Sequence, residues 1–221
     1  MNNQHSSSQR TKNMVIMAML AAIAFVAMAV GRIPIMLWLK YDPKDVIIAI
    51  GGFLFGPLSA LLISVVVSLV EMITLSDTGI IGLIMNVLST CAFVCPAAYI
   101  YKKKHTLQGA VAGLIFGVLL MTAVMLLWNY LLTPLYMGQA REDVAAMLIP
   151  VFLPFNLVKG GLNTALTILL YKPVITALRK TGMLPPSSSG KKGKFSIGVV
   201  LCAGLALLSL ILVVLVMRGI L

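Results

Sequence analysis

Few side chains in this 221-residue chain could do chemistry, and the most conspicuous pair is Asn156 and Lys159 in LPFNLVKGGLNT, residues 153–164. Three positions apart, they project from one face if the segment is helical. An amide offers one acceptor and two donors, and an ammonium three donors. Such a set recognises a polar-edged molecule; it does not by itself break a bond. Glu71, Asn86, Asn129 and Asn163 are the other strongly polar groups inside apolar sequence. Asn129 stands in LLWNYLLTPLY beside Trp128, Tyr130 and Tyr136. Read as a pocket, aromatic walls with an amide at the edge suit a flat heteroaromatic ligand presenting the alternating C=O and N–H edge of a pyrimidine-dione. Read as structure, the same aromatics form an interfacial belt.

Catalytic constellations are missing from the sequence. The acids are Asp42, Asp45, Glu71, Asp77, Glu142 and Asp143, and the histidines are His5 and His105. They supply neither an HExxH-like pair for zinc nor a nucleophile with a base in reach. Cys91, Cys95 and Cys202 lie in apolar runs without further ligands and read as small buried hydrophobes. No GxxxxGK[ST] loop is present, so ATP phosphates are not held here in the P-loop manner. The expectation is a non-enzyme with no metal and no cofactor.

The elements that must position the polar groups are membrane helices. Hydrophobic residues make up 60% of the chain and charged ones 10%, with a mean hydropathy of +1.05, outside the soluble globular class. Seventeen Lys and Arg face six Asp and Glu. The excess sits in short blocks between apolar segments, which fits cytoplasmic loops in a lipid bilayer and argues against a nucleic-acid partner. Apolar segments run over 14–31, 46–55, 58–75, 80–101, 107–132, 147–178 and 195–217. Gly56-Pro57 separates the short second from the third. Counting 46–55 as its own crossing puts Arg10/Lys12, Lys102-Lys103-Lys104, Arg179/Lys180 and Lys191/Lys192/Lys194 on one side. The N-terminus is then cytoplasmic and the loops at 32–45 and 134–146 face outward. A basic start before an apolar run ending Ala27-Met28-Ala29 has the form of a secretory signal, but the run leads into a structured loop and is expected to stay. In that loop Pro34 and Pro43 flank Trp38, Leu39 and Tyr41, the composition either of a lid or of a connection with interfacial aromatics.

The expected domains are a cytoplasmic tail at 1–13, a six-helix membrane domain at 14–181, a cytoplasmic Pro/Ser/Gly/Lys linker at 182–194 and an extra transmembrane helix at 195–221 that looks like an appendage. Within the bundle each buried polar group has two readings. A lone asparagine bonding across helices contributes about 0.6 kcal/mol as packing. A lysine at the bilayer centre costs about 2.5–3.5 kcal/mol, relieved by snorkelling to the interface or by a lined pocket. Gly160-Gly161 beside Lys159 permits close helix approach.

KYDPKDV, GGFLFGPLSALL, WNY and LPFNLVKGGLN, in this order across residues 12–180, resemble the riboflavin-specific S components of energy-coupling factor (ECF) transporters. The resemblance implies an all-α, six-helix membrane subunit with a short second helix that captures riboflavin as transported ligand. It also implies a transmembrane coupling subunit and two ATP-binding subunits as partners in a bacterial cell membrane. In that family the asparagine of WN and the Asn and Lys of FNxxK contact the flavin, which corresponds here to Asn129, Asn156 and Lys159. The gating loop corresponds to Leu39, Tyr41 and Asp42. A small-residue pattern on the first helix, Ala18 and Ala22, matches the face shown to the coupling subunit, though generic packing has the same spacing. Asn86 and Glu71 are added as candidate ligand contacts. Glu71 has no obvious partner in the sequence, and pairing with ligand hydroxyls, an interfacial position and proton coupling are all open. Two alternatives stand beside this reading: an S component for another vitamin, and a secondary transporter using Glu71 as its proton site.

Overall fold

Gly56 takes φ 96° and ψ 176°, a region that only glycine occupies freely, and Pro57 opens the next helix at its first turn. The chain therefore breaks there, and the second and third apolar segments form separate helices as the charge pattern requires. The computed structural model describes residues 2–184 and 197–220. Its elements are α1 (Asn2–Gly31), β1 (Ile33–Met36), β2 (Leu39–Tyr41), α2 (Lys44–Phe55), α3 (Pro57–Thr74), α4 (Gly79–Lys104), α5 (Leu107–Met137), α6 (Arg141–Met147), α7 (Leu153–Lys180) and α8 (Ile197–Met217), with a π-helical turn, Leu148–Phe152, joining α6 to α7. Most of the linker, with Lys191, Lys192 and Lys194, and Phe195 lie outside the described residues, as do the side chains of His5 and Tyr136.

Among the described residues six helical stretches are long and apolar enough to cross a membrane: Gln9–Gly31, Pro57–Thr74, Gly79–Lys104, Leu107–Leu135, Arg141–Lys180 and Ile197–Met217. This is the expected all-α membrane architecture, with a short second helix and an additional C-terminal one. At 12 residues, α2 is about 18 Å long, shorter than a hydrocarbon core of about 30 Å, yet it runs from Lys44 at the hairpin end to Gly56 beside Lys102 at the other. It is the most enclosed element, packed against α1, α3, α4 and α7. Gly52 makes this possible, since a Cβ there would stand 3.1 Å from Ala60, Val94 and Ala98 side chains. α4 and α5 cross more closely still: a Cβ on Gly117 would collide with the Phe93 carbonyl oxygen.

The two connections expected to face outward are not the plain loops expected. Residues 33–41 are an antiparallel hairpin pairing Ile33 with Tyr41, Pro34 with Lys40 and Met36 with Leu39. Its turn sets Leu37 at φ 50°, a position usually given to Gly or Asn. The stretch 134–146, expected as a loop, is mostly helix: α5 continues to Met137 and α6 begins at Arg141. Pro150 has no N–H to donate, and the helix widens through the π turn there rather than ending.

The bundle has two chemically distinct ends. At one, Tyr101 of α4 meets Tyr171 of α7, hydroxyl to hydroxyl at 2.6 Å, against Phe53 of α2. Thr11 and Lys12 there share a cavity of about 390 Å³ with Thr181, Gly182 and Met183. At the other end lie the hairpin, the start of α2, the end of α3 and the start of α7. α8 is not detached: it packs along α7 and touches β1.

Candidate functional site

Glu71 sits one turn before the end of α3 and is 3% exposed. It is far from unpartnered. Arg32, just past α1, bonds one carboxylate oxygen through Nη2, and Lys44, in the first turn of α2, bonds the other through Nζ. Asn86 of α4 donates to the same Oε2 at 3.0 Å. Arg32 Nε also donates to Asp42 Oδ1 at 2.6 Å, and Lys44 lies 3.9 Å from Asp42 Oδ2. Burial opposes the Arg32 charge, but the hydrogen bond and the charges of Asp42 and Glu71 outweigh it and raise the guanidinium pKa. Arg32 and Asp42 flank the hairpin, so its two ends are clipped together and to α3.

A second pair settles the cost of Lys159, which is 6% exposed and does not snorkel. Its Nζ is 3.4 Å from Asp45 Oδ2 and 3.4 Å from Ser89 Oγ. Asp45, 0% exposed, also accepts from Thr90 Oγ1 at 2.6 Å and Asn163 Nδ2 at 3.2 Å. A carboxylate with three donors is the condition under which a buried ion pair becomes tolerable. Together Arg32, Lys44 and Lys159 face Asp42, Asp45 and Glu71, three cations against three anions, so this buried cluster is formally neutral.

Arg32, Asp42, Glu71, Asn86, Ser89 and Lys159 from these networks line a cavity of about 510 Å³, within the size range of small-molecule sites. Seven of the eight ligand-contact candidates line it: Asn129, Asn156, Lys159, Asn86, Glu71, Leu39 and Asp42. Tyr41 does not. It packs behind the hairpin with Ile35, Phe155, Val158 and Leu162, its hydroxyl buried without a hydrogen-bond partner among the described residues. Burial first, then Asp45 and Asp42, raises the Tyr41 pKa and keeps the phenol neutral.

Asn156 Nδ2 donates to the Phe152 carbonyl at 2.8 Å, fixing the amide on the cavity wall. Asn129 Nδ2 donates to the Met125 carbonyl at 2.7 Å, and its Oδ1 accepts from Thr133 at 3.1 Å. The aromatic walls are not those expected around Asn129. Trp128 and Tyr130 are neighbours of Asn129 along the helix and so point about 100° to either side. Tyr130 instead lies under the Arg141 guanidinium, 5.5 Å from its ring centroid. Trp38 and Phe155 supply the aromatic surface, with Met85, Met125 and Met137. Trp38 meets Phe152 edge-on at 6.5 Å, which seats the hairpin turn on the π turn.

Sequence reasoning passed over Arg32, Lys44, Asp45, Ser89 and Phe155 as site residues, and named Trp38 only as part of a possible lid. A signal was present: an acid inside an apolar segment, Glu71, together with a membrane lysine, demands counter-charges, and 32–45 holds the nearest supply. Among the described residues no group of three His, Cys, Asp or Glu is arranged to hold a metal.

Comparison with known proteins follows the same lines. The family model for "ECF transporter, substrate-specific component" matches residues 12–171. The riboflavin transporter RibU of Staphylococcus aureus (strain TCH60) is 29% identical over 182 residues, 78% of this chain and 95% of that protein. The riboflavin transporter FmnP of Bacillus subtilis (strain 168) is 30% identical over 175 residues, 73% of this chain and 91% of that protein. A solved structure described as "Structure and mechanism of the S component of a bacterial ECF transporter" superposes with a TM-score of 0.66 at 30% identity, covering 77% of this chain and 99% of that one.

Proposed function

The chain belongs to the substrate-specific components of ECF transporters, and on that premise we propose that its hairpin-capped cavity captures riboflavin from outside the cell for uptake. It is a membrane transport component that works with an ECF module, not an enzyme, and riboflavin is its transported substrate, not a cofactor. The observation that carries the reading is the convergence of Asn129, Asn156 and Lys159 on one cavity walled by Trp38, Phe155 and methionines.

Each part of a flavin has a matching surface. The tricyclic ring is flat and apolar on its faces, and Trp38, Phe155 and the thioethers of Met85 and Met125 suit it. The dione edge needs donors and acceptors in alternation, which the Asn156 and Asn129 amides and the Lys159 ammonium offer. Asn86 and the Glu71–Arg32 cluster suit a polyol chain. Lys159, held by Asp45, presents a charge-assisted donor without leaving an uncompensated charge when the ligand departs. No bond in the ligand is made or broken, and binding differences between conformations do the work.

The module is proposed to consist of one transmembrane coupling subunit and two ATP-binding subunits, the latter hydrolysing ATP. The N-terminus is assigned to the cytoplasm of a bacterial cell. What supports it is that Lys12, Lys102 and the exposed Arg179 and Lys180 belong to the bundle end remote from the hairpin, as the positive-inside rule requires. Residues 14–181 are taken as the binding domain and 195–221 as an addition to it. The pairing of Glu71 with both Arg32 and Lys44 supports a structural role for it, holding α3 to the hairpin end, over the alternative of a secondary transporter that uses it as a proton site.

Protein purified from a flavin-containing host is expected to be yellow, with flavin fluorescence quenched. Absence of flavin together with no saturable riboflavin binding at submicromolar concentration would remove this function. Riboflavin uptake is expected to vanish in cells lacking the coupling and ATP-binding subunits; persistence would make the chain a self-sufficient transporter.

A further inference from the structure

α8 lies beyond the matched family region, which ends at residue 171, yet its side chains reach the back of the site. Leu207, Leu210, Val214 and Met217 recur at spacings of three and four, one stripe of a helix. This stripe packs on the buried cluster that contains Tyr41 of the hairpin and Phe155 of the cavity wall. The opposite residues, Leu201, Leu205, Leu208 and Leu212, are exposed and suit lipid.

Apolar side chains gain nothing from the hydrophobic effect when moved from lipid to a helix interface, so such contacts form only where shapes fit. Gly161 supplies the fit: a Cβ on it would stand 3.0 and 3.2 Å from the two methyls of Leu210, so Leu210 seats in the notch left by the missing side chain. α8 also touches β1 directly. The hairpin has strands of four and three residues, and an isolated two-stranded hairpin is marginal. Its polar ends are held by Arg32, Asp42 and Glu71, but its apolar back needs a surface, and α8 provides part of it.

We propose that α8 is a positioning helix for the hairpin: through Leu207, Leu210, Val214 and Met217 it braces the hairpin and Phe155 against the cavity and thereby slows ligand release. The proposal rests on riboflavin binding for its kinetic test but not for its structural one. It separates this chain from a six-helix unit, whose hairpin would have lipid behind it.

The test uses full-length variants in lipid nanodiscs. In Leu210→Ala/Val214→Ala, riboflavin release, followed by recovery of flavin fluorescence, is expected to be about five- to tenfold faster, with association changed less. Leu208→Ala, on the lipid face, and the volume-conserving Leu210→Met are expected to release at the wild-type rate. The single variant Leu210→Ala, expected to be intermediate, serves where the double does not fold. In ligand-free protein, hydrogen exchange at residues 33–41 is expected to be faster in the double variant than in wild type. Release equal to wild type in folded Leu210→Ala and in the double, or unchanged hairpin exchange, overturns the proposal. Failure of wild type to bind riboflavin removes the functional assignment and leaves the exchange result standing as the test of the brace.

Discussion

Lys159 and Asp45 form the ion pair on which the site's chemistry turns, and its two halves differ in how visible they are in the sequence. Lys159 and Asn156 are conspicuous because they interrupt an apolar run. Asp45, Lys44 and Arg32 are hidden because they stand at the edges of apolar windows, where charges read as loop residues; their pairing needs the hairpin to fold back over α3 and α7. The pair predicts a specific pattern of stability. Asp45→Ala leaves a buried ammonium and Lys159→Ala a buried carboxylate, each costing about 3–5 kcal/mol. Removing both should cost less than the sum by about 1–3 kcal/mol in a double-mutant cycle of thermal or denaturant unfolding. Additive losses would mean the two groups act independently. On binding, Asn156→Ala should weaken riboflavin by about 1–3 kcal/mol, one buried hydrogen-bonding group, measured by fluorescence titration. Unchanged affinity would return Asn156 to a purely packing role through its bond to the Phe152 carbonyl.

Among elements, those defined by local chemistry were legible and those defined by tertiary fit were not. Gly56-Pro57 fixed the α2–α3 break, and Gly160-Gly161 marked close approach on both sides: Gly160 toward Val118 and Met121 of α5, Gly161 toward Leu210 of α8. The hairpin was invisible because its turn, Leu37-Trp38, carries no Asn-Gly or Gly-X signature, and its strands total seven residues. The π turn escaped because Pro150 and Pro154 lie inside one continuous apolar segment, 147–178, and hydropathy does not report that the helix absorbs a proline by widening. The α4–α5 crossing carries the sharpest consequence, since these helices bring Asn86 and Ser89 opposite Asn129 and Met125 across the cavity. Gly117→Ala must push the Phe93 backbone away and should destabilise by about 1–3 kcal/mol, with weakened riboflavin binding. Gly204→Ala on α8, where a Cβ meets nothing within 4 Å, should be neutral or slightly stabilising. Equal effects at the two glycines would show that the crossing distance does not govern the cavity.

At the scale of the whole molecule the cavity and the coupling face proposed at Ala18 and Ala22 lie on different surfaces, which would let binding be separated from transport. The cavity is built by the hairpin, α3, α4, α5 and α7. α1 contributes to the core through Ala21 and Ala24, which are buried, and turns Ala18 and Ala22 outward. The generic-packing explanation of the small-residue spacing therefore fits Ala21 and Ala24 better than Ala18 and Ala22, which are exposed among the described residues. Small exposed residues on a membrane helix let a partner's backbone come close, and a bulky side chain there would hold it off. Ala18→Trp and Ala22→Trp, alone and together, are thus expected to leave the yellow colour and riboflavin affinity of the purified chain at wild-type levels. Uptake in cells carrying the full module should fall, by about tenfold or more if docking loses about 1.4 kcal/mol or more. Uptake at the wild-type rate in the double variant would place the coupling surface elsewhere on the bundle, whereas a parallel loss of binding would mean that α1 supports the cavity through α2 and α3 rather than serving as a separate docking face.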